Sequence, residues 1–399
     1  MRSEECDLLP EPAAGVHFFP WSQGGVLFLE GGRRLWPLNQ TAAVVWCLLD
    51  GAASPATLAR SVADRFRIPL DQALADVRAV VELFGQEGLL AGGKQEAAAG
   101  SESEPATLPI GSPVPEPAGW LLRRRYRIGG LDIEFCSQAE AACGAWLATM
   151  HHLAIDKSCE PGMRLWLLAS EDHTWDICLD GCLVSANLPA AAVTPTLIYL
   201  TFTSVCAALS DRLLFHAAVL EQAGRALLFP AEAGSGKTTL AATAACHGFG
   251  YLSDELAVLD VDQGLVSPLP LPMSIKTGSL ELVAACYPEL HLAPEHLRAD
   301  GKMVRYLAPP PGSIVPATAR LPIGAILFPH YVAGAACSLR ALEKTEALQR
   351  LVRTGSSDRP LRPADIAMMI RIVDEHPCYS LEYSSFPEVW STLAGVVPG

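Results

Sequence analysis

Positive charge is scarce in this chain. Lysine and arginine supply 29 of 399 residues against 43 aspartates and glutamates, for a formal net charge of −14. So acidic a chain is a poor partner for nucleic acid or an anionic membrane, since both need basic patches to offset phosphate repulsion. Long apolar runs are missing too. The longest charge-free stretch lies between Asp180 and Asp211, where Pro189 and Pro195 interrupt it. The unbroken part beyond Pro195 falls short of the ~20 residues that span a bilayer, so a buried core helix is expected there. The N-terminal MRSEECDLLPEP is acidic and lacks the apolar centre of a secretion signal. Twelve cysteines are present, none in a CxxC pair; the closest, Cys178 and Cys182, have no histidine cluster near them. Spacing therefore indicates neither a zinc site nor a disulfide framework. Reduced, mostly buried thiols in a cytoplasmic protein are expected, with room for two or three domains and no internal repeat.

What the chain does contain is LLFPAEAGSGKTTL, Leu227 to Leu240. It reads as an apolar strand, a small-residue loop and the start of a helix. AEAGSGKT fits a phosphate-binding P-loop, with Ala231 where the first glycine usually stands. A methyl group is tolerable there if the backbone keeps a negative φ. Ala233, Gly234, Ser235, Gly236, Lys237, Thr238 and Thr239 are the candidate nucleotide-binding residues. The glycines let consecutive N–H groups face phosphate, Lys237 adds charge, and the Thr238 hydroxyl can hold Mg²⁺. The plain alternative is a glycine turn.

Downstream, TLAATAACHGFG reads as a helix closed by Gly248, followed by the strand YLSDELAVLDV. If that strand lies beside the P-loop strand, Asp254 and Glu255 reach the metal; one can hold it while the other accepts a proton. Two solvated acids at a strand end are the bland alternative. Upstream, LLFHAAVLEQAGRALLFP reads as a hairpin turning near Gln222 to Gly224. That register sets His216 opposite Ala231, where it is either a packed core histidine or a catalytic, phosphate-contacting one.

These three elements together resemble the HPr kinase/phosphorylase superfamily, and more closely its HPr kinase-related members. The likeness continues through PLPLPMSIKTGSLELV, VRYLAPPP and LPIGAILFPHY and covers about Trp120 to the C-terminus. It implies an α/β P-loop kinase domain of the HPr kinase/phosphoenolpyruvate carboxykinase type, using ATP and Mg²⁺. Carried over, His216 assists the catalytic acid, Lys237 and its loop hold phosphates, and Asp254 is base or metal partner. Glu255 becomes a metal ligand alongside Thr238, and Lys276 an anion contact. The acidic pair is Asp-Glu where HPr kinases have Asp-Asp, and their C-terminal HPr-engaging signature is not found. The resemblance thus carries the kinase chemistry rather than HPr as partner.

The first ninety residues read differently. GVHFFPWSQGGVLFLEGGRRLWPLN gives short strands with turns at Gln23 to Gly25 and at Gly31-Gly32. Three helices come next: one after Asn39 as N-cap, one with Ser54 as N-cap and Pro55 at its first position, and a third. The third aligns Leu70, Leu74, Val77, Val80/Val81 and Phe84 on one face. This small α+β, winged-helix-like pattern is similar to PqqD-type domains, the peptide-recognition elements of pathways that modify ribosomally made peptides. Such a domain implies leader binding by strand addition at a sheet edge, beside a helix. A DNA-binding winged helix is the alternative, disfavoured by the acidic chain and the few basic residues of the third helix.

Residues 1–92 are thus read as the peptide-recognition domain, 93–118 as a Pro/Gly/Ser/Glu-rich linker and 119–399 as the kinase domain. After the linker, RRRYRIGGLDIEFC and MRLWLLASEDHTWDICLDGCLVS read as strands around a helix near Ala139 to Leu153, continuing the kinase sheet. Arg123 to Arg125 read as a solvated strand start. The expected activity is ATP-dependent phosphorylation of a Ser or Thr hydroxyl on a precursor peptide docked through its leader. A homo-oligomer is compatible with this reading. Two rivals stay open: a small-molecule kinase with a docking module, and a non-enzymatic, nucleotide-gated peptide chaperone.

Overall fold

The computed structural model describes residues 8–22, 24–92, 111–156, 160–232, 234–355 and 359–396. They form two compact units. One is built from described residues of Met1–Glu102 together with Lys344–Arg353 and Pro360–Arg371; the other takes the remainder. Most of the expected linker, residues 93–110, lies outside the described residues.

In the first unit β1 (Val16–Trp21), β2 (Gly24–Leu29) and β3 (Leu35–Leu38) form an antiparallel meander. Gly24 and Gly25 lie inside β2 rather than in the turn. A Cβ on Gly24 would strike the Leu38 carbonyl, and one on Gly25 the Phe18 ring. Close strand approach, not chain reversal, is what these glycines serve. Helix α1 (Gln40–Leu48) starts as its cap dictates, with the Asn39 side chain accepting from the Ala42 N–H. In α2 (Pro55–Phe66), Ser54 caps and Pro55 opens the first turn. Helix α3 (Leu70–Gln86) buries Ala73, Val77 and Phe84, and Phe84 meets Trp46 edge-on at 5.2 Å. Leu70 departs from the expected face: at the first helical position it lies beyond the core and is 51% exposed.

The second unit opens with β4 (Leu122–Ile128), β5 (Leu131–Ser137), α4 (Glu140–Met150), β6 (Met163–Ala169), β7 (Trp175–Leu179) and β8 (Cys182–Leu188). These strands form a sheet of their own, in order β4-β5-β6-β7-β8, instead of extending the larger sheet as the sequence suggests. Residues 111–114 run along β8 through the Gly111 N–H to Leu183 O and Val114 N–H to Gly181 O bonds. The Arg123–Arg125 run is more than a solvated strand start. Arg125 and Arg123 reach the buried Glu134 carboxylate at 2.8 and 3.4 Å, which neutralises a charge that burial would penalise.

Helix α5 (Ala190–Ala208) follows, and Pro195 does not break it. A proline there strands the carbonyl four residues back. The His296 ring lies near that carbonyl, of Ala191, close enough for the carbonyl to raise its pKa against the lowering by burial. By length and composition α5 could cross a membrane, but Val193, Leu197, Leu200 and Val205 are buried in the core shared with β4–β7.

The larger sheet is organised by β9 (Leu213–Gln222) and β10 (Arg225–Pro230), an antiparallel hairpin. Its turn is Ala223-Gly224, with φ of 52° and 75°, the left-handed pair of a two-residue hairpin loop. Next come α6 (Lys237–Cys246), β11 (Gly250–Ser253), β12 (Leu256–Leu259), β13 (Leu265–Ser267) and β14 (Met273–Lys276). After them lie α7 (Leu280–Ala284), β15 (Glu295–Leu297), β16 (Met303–Leu307), β17 (Leu321–Tyr331) and β18 (Ser338–Ala341). Then come α8 (Lys344–Arg353) and α9 (Pro363–Glu375), of which α8 and all of α9 up to Arg371 belong to the first unit, and last β19 (Cys378–Tyr383) and α10 (Phe386–Leu393). Strand β17 runs parallel to β10 and to β19, and β11 and β12 take the edge of β9 that β10 leaves free. A small sheet, β14-β16-β15, stands apart. The apolar core under the glycine loop joins Phe229, Leu240, Tyr251, Leu327 and Tyr383.

Candidate functional site

β10 is an almost wholly buried strand that delivers the loop between Pro230 and α6. The hairpin register is the one expected: the Ala231 N–H donates to the His216 carbonyl at 3.2 Å. Ala231 is not among the described residues with positive φ, as a methyl group at that position requires. Gly234 and Gly236 do sit at φ 92° and 90°. Open space surrounds a Cβ on Gly234, and one on Gly236 would meet only the Tyr383 hydroxyl, at 3.7 Å. The left-handed backbone, not crowding, therefore calls for glycine at both. Ala233 lies outside the described residues.

Helix α6 begins with no side chain capping its first turn, which leaves orphan N–H groups aimed at the loop. The Ser235 hydroxyl is buried and has no hydrogen-bond partner among the described residues. Unpaired donors gathered around a glycine loop suit an anion with several oxygens. Lys237 is 5% exposed, and its ammonium donates to the carbonyls of Ala231 and Glu232 at 2.8 and 2.9 Å. Burial pulls its pKa down to about 8, with Glu255 and Asp254 opposing the shift and Lys276 adding to it. The Thr239 hydroxyl instead ties α6 to Ser279 at 2.9 Å. Any phosphate contact by Thr239 therefore falls to its backbone N–H.

Asp254 and Glu255 occupy the break between β11 and β12. The sequence pattern set their strand beside β10; in the structure β9 lies between, and the Ala217 N–H donates to the Glu255 carbonyl. The carboxylates still reach the loop: His216, whose carbonyl accepts from the Ala231 N–H, also meets Glu255, and the Thr238 hydroxyl is near enough to Asp254 to lower its pKa. Asp254 is buried and accepts from the Tyr251 hydroxyl at 2.7 Å. Burial first, then the Glu255 charge, push its pKa up to about 7, against the Tyr251 and Thr238 hydrogen bonds. Glu255 goes the other way. Burial alone would raise its pKa, but the His216 hydrogen bond, the His216 charge, Lys237 and Arg298 together lower it. The His216 Nε2 to Glu255 Oε1 separation is 3.1 Å.

Lys276 ends β14, close enough for its charge to weigh on Lys237. Arg298, just past β15, is a site residue that sequence reasoning missed. It acts on Glu255, while its own guanidinium pairs with Asp300 at 3.3 Å and reaches the Ser274 hydroxyl at 3.4 Å. No local motif marks it; only the small β14-β16-β15 sheet carries it there.

The N-terminal unit presents a different surface. Its two edge strands each contain a proline, Pro20 in β1 and Pro37 in β3. Beside β3, the Trp36 indole N–H donates to the Glu87 carboxylate at 2.9 Å. Arg34 pairs with the same carboxylate at 2.6 Å and lies 5.0 Å over the Trp36 ring. Glu87 directly follows α3, so this edge is flanked by that helix.

Residues 24–90 match the PqqD family. Its description is coenzyme PQQ synthesis protein D, and the match runs from β2 to the residues after α3. The PqqD-type reading of the N-terminal domain is thereby supported, and the chain is a mixed α/β protein that carries it. No curated protein matches the chain.

Proposed function

We propose that this protein is an ATP-dependent kinase that phosphorylates a Ser or Thr hydroxyl of a ribosomally made precursor peptide, recruited by the PqqD-type domain. The observation that carries the reading is the placement of Thr238, in the first turn after the glycine loop, beside the buried Asp254, whose pKa its hydroxyl helps to lower. It joins the glycine loop to the acidic pair, and this is how P-loop enzymes pair a loop hydroxyl with a strand carboxylate around a metal.

Gly234 to Thr239 would bind the phosphate chain through backbone N–H groups, and Ser235 would gain the partner its hydroxyl lacks. Lys237 would exchange its loop carbonyls for phosphate oxygens, with Lys276 and Arg298 adding positive charge. Thr238, Asp254 and Glu255 fit a Mg²⁺ ion, an oxygen-seeking cation that neutralises phosphate charge when bound. In the transfer, the peptide hydroxyl oxygen forms a bond to the γ-phosphorus. The bond from that phosphorus to the bridging oxygen breaks, and ADP leaves with the electron pair. Asp254 takes the hydroxyl proton: a carboxylate held near neutral pKa is better matched to that task than an ordinary one. His216, bonded to Glu255, holds the second carboxylate in place.

Docking through the leader raises the concentration of the acceptor hydroxyl at the site. A leader lying along β3 would have Trp36 and Arg34 beside it. Radiolabelled γ-phosphate from ATP should appear on a precursor peptide, and substituting its acceptor hydroxyl should stop the transfer. Label that stays in ATP or goes only to inorganic phosphate contradicts the proposal.

A further inference from the structure

At the end of α6 remote from the phosphate loop, Cys246, His247 and Cys286 offer ligand atoms that all lie within 4.8 Å of one another. The two cysteines are far apart in sequence, so spacing alone gives no sign of the cluster. We propose that these three residues bind a thiophilic divalent cation, Zn²⁺ by the character of its donors, with a fourth position left to solvent.

The scaffold brings the donors together by folding rather than by chance side-chain placement. Cys246 ends α6 and His247 caps it, while Gly248 at φ 91° lets the Phe249 N–H close on the Ala244 carbonyl at 3.2 Å. Cys286 sits in the turn after α7, its N–H donating to the Val283 carbonyl at 2.9 Å. The next residue fastens that turn to the helix: the Tyr287 hydroxyl donates to the Ala242 carbonyl at 2.8 Å.

One nitrogen of the histidine is already fixed by the helix. Its Nδ1 donates to the Thr243 carbonyl at 2.7 Å, which leaves Nε2 as the free electron pair. Metal-bound histidines are commonly fixed by such a bond from their other nitrogen. Two sulfurs and an imidazole suit Zn²⁺ better than Mg²⁺ or Ca²⁺, which take oxygen. Tetrahedral zinc with bonds of roughly 2.3 Å sets its sulfurs about 3.8 Å apart, so small side-chain rotations would close the site. Binding forms two Zn–S bonds and one Zn–N bond and releases both thiol protons to solvent. An ion has access, since Cys246 and His247 are exposed and Cys286 is partly so.

The test is to titrate the full chain, reduced and metal-free, with Co²⁺ and then Zn²⁺. One equivalent of Co²⁺ should bind with thiolate charge-transfer and tetrahedral d–d absorption, and Zn²⁺ should displace it. Cys246→Ser/Cys286→Ser should lose that equivalent, while Cys178→Ser/Cys182→Ser, at the other close pair, should keep it. His247→Ala leaves both thiols and should bind at least roughly tenfold more weakly, as expected for loss of a metal-orienting group. No thiolate–cobalt absorption would overturn the proposal, and so would absorption that survives Cys246→Ser/Cys286→Ser or unweakened binding by His247→Ala. A Cys246–Cys286 disulfide that persists in the reduced protein, with no cobalt bound, would overturn it as well.

Discussion

The Tyr251 hydroxyl donates to the Asp254 carboxylate at 2.7 Å, and both side chains are buried. That contact lets a carboxyl group survive out of water, yet burial and the neighbouring Glu255 still push its pKa up to about 7. Between its ordinary value near 3.8 and about 7, the folded protein holds a proton that the unfolded chain has released. Stability is therefore highest below that window and falls as pH rises through it. Asp254→Asn keeps an acceptor for Tyr251 and removes the titration. In chelator-containing buffer, its unfolding free energy from urea titration should gain on wild type between pH 5 and pH 8, by roughly 1 kcal/mol or more. Parallel pH curves for the two proteins would contradict the burial argument.

Lys237 presents the opposite case. Its pKa is lowered to about 8 because the ammonium is buried. Stability is then fully present only above the ordinary lysine range and is lost as pH falls through about 8. At pH 7 the charge costs stability, so Lys237→Met should melt at the wild-type temperature or above while losing nucleotide turnover. A loss of roughly 100-fold or more is expected if the charge serves transferring phosphate. A Lys237→Met protein that turns over ATP at the wild-type rate would remove the lysine from the site.

The two carboxylates should fail differently. Asp254→Asn is expected to retain Mg·ATP binding and lose phosphate transfer, since it removes the basic lone pair. Glu255→Gln should need more Mg²⁺ for half-maximal rate, because the lost charge lies at the candidate metal position. His216→Ala, which frees Glu255 from its 3.1 Å partner, should lower kcat by roughly 10- to 100-fold with little change in nucleotide affinity. Steady-state kinetics across a Mg²⁺ series separates the three. Identical profiles would mean the roles are not divided as drawn.

At the peptide-binding unit, Trp36→Ala deletes the indole that bridges the β3 edge to Glu87. Leader affinity, measured by fluorescence anisotropy on the full chain, should drop about tenfold, or ~1.4 kcal/mol. The apparent KM for precursor should rise with it, while kcat stays near wild type. Unchanged leader affinity would move the binding edge elsewhere.

Much of this site is local in sequence, and that is why it could be read there. The Gly234 and Gly236 conformations, the Asn39 and Ser54 caps and the His216–Ala231 register each depend on a few neighbouring residues. What could not be read depends on chain paths with no local signature. β9 lies between the loop strand and the acidic pair because β11 and β12 both chose its free edge. Arg298 arrives on a separate small sheet, and Cys286 meets Cys246 through the Tyr287–Ala242 hydrogen bond. Pro195 reads as a helix breaker in sequence, yet α5 runs through it, and the His296 ring that comes near its stranded carbonyl belongs to a distant strand.

The most direct measurement is mass spectrometry of a precursor peptide incubated with the full chain and Mg·ATP, run beside the same peptide without its leader. A peptide kinase predicts one added phosphate, localised to a Ser or Thr, formed faster on the leader-bearing peptide and absent with Asp254→Asn. Contradiction would be an unmodified precursor while ATP is consumed, or phosphate found on a small molecule instead.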